Sequence, residues 1–437
     1  MLTRPGRVRP DRDLDRRIAA LALPALGAIA AEPAYSLADT AIVGHLGPSS
    51  LGSLAIASTA LNATAWLAIF LTMATTSAVA GLAAGRAADR AARTAGSAYL
   101  VAAGGGIVIA LALLAAATPI ATVLGGHGPA VAGAAGYLRA SAIGLPFLYV
   151  SFAGNGHLIG LADTRTPLRI AVTANVANVL LELALVYGLH LGLLGSAWGT
   201  VIAQVIAAGL YAAASWRRAR IRPARPGRAE VTALLRDGHR LSVRTIALGV
   251  VPLTTTAIAA RLGPVPLGGQ QIAMRVWYLL ALLLDALAVP AQVFVSSRLG
   301  AGDKPGAHQV GQRTLQLGLL AGIAMGVVTA ALAFGVPYLF TQDAAIRHAA
   351  TTALLVAAVT QPVTALAFVL DGLILGLADY VAMRRAMVWA VFAYLPLAAL
   401  VLAFPRLGLP GIWAALGVWL AARAALLGRR WHAEFTP

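Results

Sequence analysis

The chain has 437 residues, 59% of them apolar and 11% charged, with a mean hydropathy of +0.80. Water-soluble domains carry roughly a quarter charged residues, so this composition excludes a soluble globular protein. The net charge of +17 does not mark a nucleic-acid binder, because the basic residues lie between apolar runs, and the absence of cysteine leaves no redox compartment to infer.

A helix needs about 20 apolar residues to cross a bilayer. Runs of that size fall near 18–43, 53–83, 95–118, 131–156, 167–188, 192–215, 241–262, 267–297, 314–335, 344–370, 382–404 and 408–428. Twelve spans are therefore expected. The first run follows arginines and contains Ala28-Ile29-Ala30, which fits a signal-peptidase site. A cleaved leader is thus the alternative there, and it would leave eleven spans.

Basic residues assign the sides. Arginines crowd the N-terminus, the connections after spans 2, 4, 6, 8 and 10, and the C-terminus, where Arg429 and Arg430 stand. The heaviest cluster is Arg217 to Arg228 after span 6, whereas the opposite loops hold little beyond Arg261, Arg347 and Arg406. Positive-inside places both termini and the segment 217–238 in the cytoplasm.

An internal repeat divides the chain. Gly160-Leu161-Ala162-Asp163 recurs at Gly376-Leu377-Ala378-Asp379, 216 residues on, and Leu46-Gly47-Pro48 meets Leu262-Gly263-Pro264 at the same offset. Leu191-Gly192-Leu193 meets Leu407-Gly408-Leu409 likewise. Six spans per half is an even number, so both halves enter from one side, a parallel repeat of the kind transporters use. The expected organisation is an all-α integral membrane protein of two six-helix lobes, 1–216 and 239–437, joined by a cytoplasmic basic linker, 217–238.

Ionisable groups inside a bilayer cost a few kcal/mol or more and are function hypotheses by default. Span 1 carries Glu32 and Asp39, two turns apart, and span 5 carries Asn175, Asn178 and Glu182 at helical spacing. The repeat partners of Tyr35, Asp39, Asn178, Glu182 and Thr200 are Val251, Thr255, Tyr394, Ala398 and Leu416. Carboxylates stand in the first half where the second has none, which points to the first half for ion coupling. A carboxylate there can exchange a proton near neutral pH or trade it for a sodium ion; the alternative is a helix-to-helix hydrogen bond. Glu32 could instead anchor the backbone opened by Pro33, and Pro24 and Pro33 each remove a helix hydrogen bond and invite a gating bend. In the second half Arg244, Arg275, Asp285 and Asp371 are expected mainly to neutralise one another, with ion or substrate handling the secondary reading.

Other chemistries are thin. There is no P-loop, no HExxH metal pair and no GxSxG elbow, so neither ATP, a resident metal nor an enzymatic cofactor is expected. Gly85 to Arg90 is similar to a loop of major facilitator transporters but lacks its later glycine.

The stretch from Glu32-Pro33-Ala34-Tyr35 through Asp39 to Gly44-His45-Leu46-Gly47 resembles the first helix of multidrug and toxic compound extrusion (MATE) transporters, most closely the DNA-damage-inducible (DinF-like) branch. Arg298-Leu299-Gly300-Ala301-Gly302-Asp303 is similar to that family's Gly-Ala-Gly-Asp turn, and Arg244-Thr245, Asp285-Ala286-Leu287-Ala288 and Asp371-Gly372 also resemble the branch. The resemblance implies export of small amphipathic, often cationic, compounds against proton or sodium entry, by a monomer in the bacterial inner membrane with no nucleic-acid partner. Tyr35, Asp39, Asn178, Glu182 and Thr200 match its N-lobe polar network; a sodium ion would sit at Asp39, Asn178 and Glu182. The family usually has aspartate where Glu182 stands, and span 7 offers only Thr254, Thr255 and Thr256 for the acidic site of the sodium-coupled branch, so proton coupling is preferred. A lipid or polyprenyl flippase and a non-transport scaffold are the competing readings.

Overall fold

Lipid offers no partner to a backbone N–H or C=O, so a crossing chain must satisfy them internally, and the apolar runs fold as helices. In the computed structural model, which describes residues 12–125 and 128–436, these are α1 (Arg12–Gly44), α2 (Pro48–Ala84), α3 (Ala88–Val123), α4 (Pro129–Ala142), α5 (Leu145–Gly160), α6 (Arg165–Leu183), α7 (Gly192–Ala213), α8 (Arg228–Leu262), α9 (Pro264–Gly300), α10 (Lys304–Leu332), α11 (Ala344–Gly376), α12 (Tyr380–Ala403) and α13 (Gly408–Phe435). No strand occurs among the described residues. By length and composition ten helices can cross a membrane, and α4 with α5 makes an eleventh, broken span bent by 51°. With α1, 33 residues long, the helices match the expected twelve spans. The run 131–156, expected as one continuous span, is this broken pair. Pro146 has no N–H to continue a helix from α4, and the chain restarts at Leu145.

The repeat is written into the backbone. Left-handed conformations occur at Gly47 and Gly263, Arg86 and Gly302, Ala162 and Ala378, and Gly192 and Gly408, each pair 216 residues apart. In the Gly-Leu-Ala-Asp turns the alanine takes the left-handed conformation, at φ 62° and 56°. The following aspartate then caps the next helix, Asp163 accepting from the Thr166 N–H and Asp379 from the Ala382 N–H. The glycines before these turns serve packing. A Cβ on Gly156 would lie 2.6 Å from the Thr72 carbonyl oxygen, and one on Gly372 would lie 2.4 Å from that of Ala288. Small residues let α2 meet α5, and α9 meet α11, at backbone distance, the usual basis of helix association in lipid.

The chain forms two compact units, Leu23–Gly238 and Met1–Ala22 with His239–Pro437. Within the first, the basic segment after α7 is tied down. The Ala224 N–H donates to the Ala92 carbonyl at 2.9 Å, the Gly227 N–H to Ser97 Oγ at 3.2 Å, and the buried His157 donates from Nε2 to the Ile221 carbonyl at 2.9 Å. Within the second, Asp15 at the start of α1 pairs with Arg313 of α10 through two bonds of 2.7 and 2.6 Å.

Candidate functional site

Three helices of the first unit each present two polar residues one turn apart: Tyr35 and Asp39 on α1, Asn178 and Glu182 on α6, Ser196 and Thr200 on α7. Spacing of four keeps both members of a pair on one helix face, so three short polar patches converge. Tyr35 Oη donates to Glu182 Oε1 at 3.0 Å, and Thr200 Oγ1 lies 3.0 Å from Tyr35 Oη. Thr200 Oγ1 also reaches Glu182 Oε1 at 3.5 Å. Ser196 Oγ donates to Asp39 Oδ1 at 2.8 Å, and Tyr137 Oη of α4 stands 3.3 Å from Ser196 Oγ. The Asp39 and Glu182 carboxyl groups are electrostatic neighbours in this cluster.

Burial is nearly complete: Glu182 is 0% exposed, Asn178 4% and Asp39 9%. Among the described residues no cation forms an ion pair with either acid. Glu182 Oε2 and Asn178 Oδ1 are buried without a donor. Buried polar atoms are normally satisfied, so two orphaned oxygens beside a second carboxyl need an explanation. The longer acid at 182 has its room because residue 199 lacks a side chain: a Cβ on Gly199 would lie 2.9 Å from Glu182 Cγ.

Of the residues singled out in the sequence, Tyr35, Asp39, Asn178, Glu182 and Thr200 belong to this cluster. Asn175 stands beside it, its Nδ2 donating to the Ala31 carbonyl at 2.9 Å and so tying α6 to α1 next to Pro33. The Glu32 side chain lies outside the described residues. Pro24 and Pro33 both fall inside α1, which runs helically through them. Tyr137 and Ser196 are additions. Their repeat partners are Ala353 and Ile412, so the asymmetry that picks out Asp39 and Glu182 would also have found them.

Of the second-half charges expected to neutralise one another, Arg244 and Asp371 do pair directly. Asp371 accepts from Arg244 Nη2 at 2.6 Å and from Arg423, a residue the sequence reading does not single out. The Arg423 guanidinium also sits 5.1 Å over the Phe368 ring and 5.7 Å over that of Trp419. Asp285 and Arg275 join no hydrogen bond or ion pair among the described residues, because both side chains point to an exposed face of α9. No group of three or more His, Cys, Asp or Glu suited to a metal occurs among the described residues.

A family model described as MatE matches residues 24–184 and 241–404. Protein DETOXIFICATION 44, chloroplastic, from Arabidopsis thaliana is 34% identical over 95% of this chain and 82% of its own. DNA damage-inducible protein F of Escherichia coli (strain K12) is 28% identical over 96% of this chain and 92% of its own. Among solved structures, a MATE protein in the bent conformation superposes with a TM-score of 0.91 at 20% identity, covering 97% of this chain and 95% of that one. The two six-helix repeats, the polar cluster on α1, α6 and α7, and these matches together show that the chain belongs to the MatE family, the multidrug and toxic compound extrusion transporters, and is a multi-pass membrane transporter, not an enzyme.

Proposed function

We propose that the chain is a secondary antiporter that moves amphipathic organic compounds out across the cell membrane against proton entry, with Asp39 and Glu182 as the proton-carrying pair. The observation that supports this most is Glu182 Oε2, buried without a donor beside the Asp39 carboxyl. Two carboxyl groups so placed share one proton, and that proton supplies the missing donor. When it leaves, two like charges face each other with no cation to offset them, and the α1–α6 contact weakens. Tyr35, Thr200 and Ser196 hold the acids in register by donating to the oxygens the shared proton does not use. Pro24 and Pro33 let α1, which carries Tyr35 and Asp39, answer the change by bending.

Sodium is the second reading, favoured by the orphaned Asn178 Oδ1, since carboxylate and amide oxygens suit a hard cation. No cofactor enters either scheme. In this reading the protein works as a monomer with both termini in the cytoplasm.

Reconstituted in liposomes, the protein is expected to couple a pH gradient to movement of an amphipathic dye with sodium absent. Asp39→Asn, nearly unchanged in volume, should abolish coupling while leaving expression and thermal stability intact. Dye movement driven by sodium alone at uniform pH overturns the proton reading. Undiminished coupling in a well-folded Asp39→Asn protein removes the carboxyl pair from the mechanism.

A further inference from the structure

In the second half, α9 carries Gln271, Arg275, Tyr278 and Asp285 at spacings of four, three and seven residues. At 100° per residue they fall within an arc of about 80°, one polar stripe along a helix otherwise rich in leucine and alanine. All four side chains are exposed. Among the described residues none of them makes a hydrogen bond or an ion pair. A face of this kind turned to hydrocarbon would leave two charges unsolvated, at a cost of several kcal/mol. That cost argues for an aqueous cavity over lipid on this side of α9, where the exposed leucines Leu279 and Leu283 stand beside the stripe.

The charges along the stripe are not equivalent. Arg244 and Arg423 both hold Asp371, which leaves one positive charge over, and Asp285 lies within electrostatic reach of both guanidiniums to balance it. Arg275 has no such counterpart. It is flanked one turn on either side by further donors, the Gln271 amide and the Tyr278 hydroxyl. The first half has Ala55, Thr59 and Asn62 at the corresponding positions, so the guanidinium is a departure from the repeat, as Asp39 and Glu182 are.

We infer that Gln271, Arg275 and Tyr278 form the contact for a carboxylate on the transported compound, and that Arg275 sets the charge preference of the cargo. One uncompensated positive charge flanked by two further donor groups suits a single carboxylate, which a guanidinium grips through two parallel N–H bonds. The apolar body of the cargo rests on the Tyr278 ring and Leu279. This narrows the cargo from amphipathic compounds in general to those carrying an acid group. It rests on the transporter reading but not on which ion drives transport.

The test is equilibrium binding to the purified, detergent-solubilised protein. Three fluorescent probes share one aromatic body: dansyl-glycine, a carboxylate; dansyl-glycinamide, neutral; and dansylcadaverine, an amine. The wild type should bind dansyl-glycine about three- to fivefold more tightly than the amide, the scale of one exposed ion pair. Arg275→Gln should erase that preference, Arg275→Lys should keep part of it, and Arg275→Glu should turn it toward the amine. Binding is read at equilibrium with no ion gradient, so a failure of proton coupling in liposomes stays distinguishable from a failure here. The inference is overturned by a wild type that does not bind dansyl-glycine saturably or that binds acid and amide alike. It is equally overturned by an Arg275→Gln protein that still prefers the acid, which would leave Arg275 as an anchor at the membrane–water boundary.

Discussion

Gly199 offers a direct probe of the packing behind the carboxyl pair. A methyl group there would sit 2.9 Å from Glu182 Cγ and 3.2 Å from the Glu182 backbone nitrogen, closer than real Cβ contacts. Backbone cannot rotate away as a side chain can, so α7 must shift from α6 or Glu182 must leave its rotamer. Overpacking of this kind costs about 1–3 kcal/mol. Replacing glycine by alanine inside a helix returns about 0.5–1 kcal/mol, so Gly199→Ala should lose up to about 2.5 kcal/mol. Gly209 on the same helix has nothing within 4 Å of where a methyl group would stand, so Gly209→Ala should show only the helix gain. The two proteins should therefore move in opposite directions in thermal unfolding measured in one detergent. Gly199→Ala should also lose proton-coupled transport, because displaced Glu182 parts from Tyr35 and Thr200, its partners at 3.0 and 3.5 Å. Equal stability and activity of the two variants would refute the claim that Gly199 exists to seat Glu182.

Two further expectations concern the Asp15–Arg313 contact and the orientation of the chain in the membrane. The Arg313 hydrogen bonds hold the Asp15 carboxyl below its ordinary value, so their stabilisation is present above the usual carboxylate range and is lost as pH falls through the lowered value. Asp15→Asn should thus cost about 1 kcal/mol at pH 7, and the gap from wild type should narrow in thermal unfolding below about pH 4; a gap independent of pH would assign the loss to packing. For topology, the chain has no cysteine, so single cysteines can be placed cleanly: Arg225→Cys should resist an impermeant thiol reagent in intact cells while Leu189→Cys reacts, and comparable labelling of both would reverse the orientation.

The span count and the repeat were legible because both are one-dimensional signals. Apolar runs mark helices whatever their neighbours, and a fixed offset of 216 survives wherever a turn needs the same backbone. Gly47 and Gly263, at φ 104° and 120°, show why the glycines recur. The break at Gly144 was written in the Gly-Leu-Pro sequence but masked by the unbroken hydropathy around it. Arg423 was hidden for a different reason. It lies inside an apolar run, and only folding brings α13 against α11 to give it Asp371 and a ring on which to stack. The carboxyl pair stood out by its charge, whereas Tyr137 and Ser196, neutral residues common in membrane helices, stand out only when their repeat partners Ala353 and Ile412 are set beside them.

The repeat explains why the polar cluster can exist at all. Asn178, Glu182, Ser196, Thr200, Tyr35 and Tyr137 correspond to Tyr394, Ala398, Ile412, Leu416, Val251 and Ala353 of the second half. All six of those are buried in a single hydrophobic cluster around Trp413 and Trp419. The same scaffold positions thus give tight apolar packing in one half and a buried acid pair in the other. Helices in lipid gain their cohesion from close contact between side chains, so the second half needs no acid at these places, its one polar bond there being Thr254 with Tyr394 at 3.1 Å, and the first half loses cohesion by having its acids. Tyr35 and Ser196 return part of that loss through charge-assisted bonds at 3.0 and 2.8 Å. Glu182 Oε2 returns none of it until a proton or a cation arrives. In the proposed antiport scheme the first half is accordingly the one whose internal packing responds to an ion, and α1, bearing Asp39 and two prolines, is the helix in it best placed to move when that ion leaves.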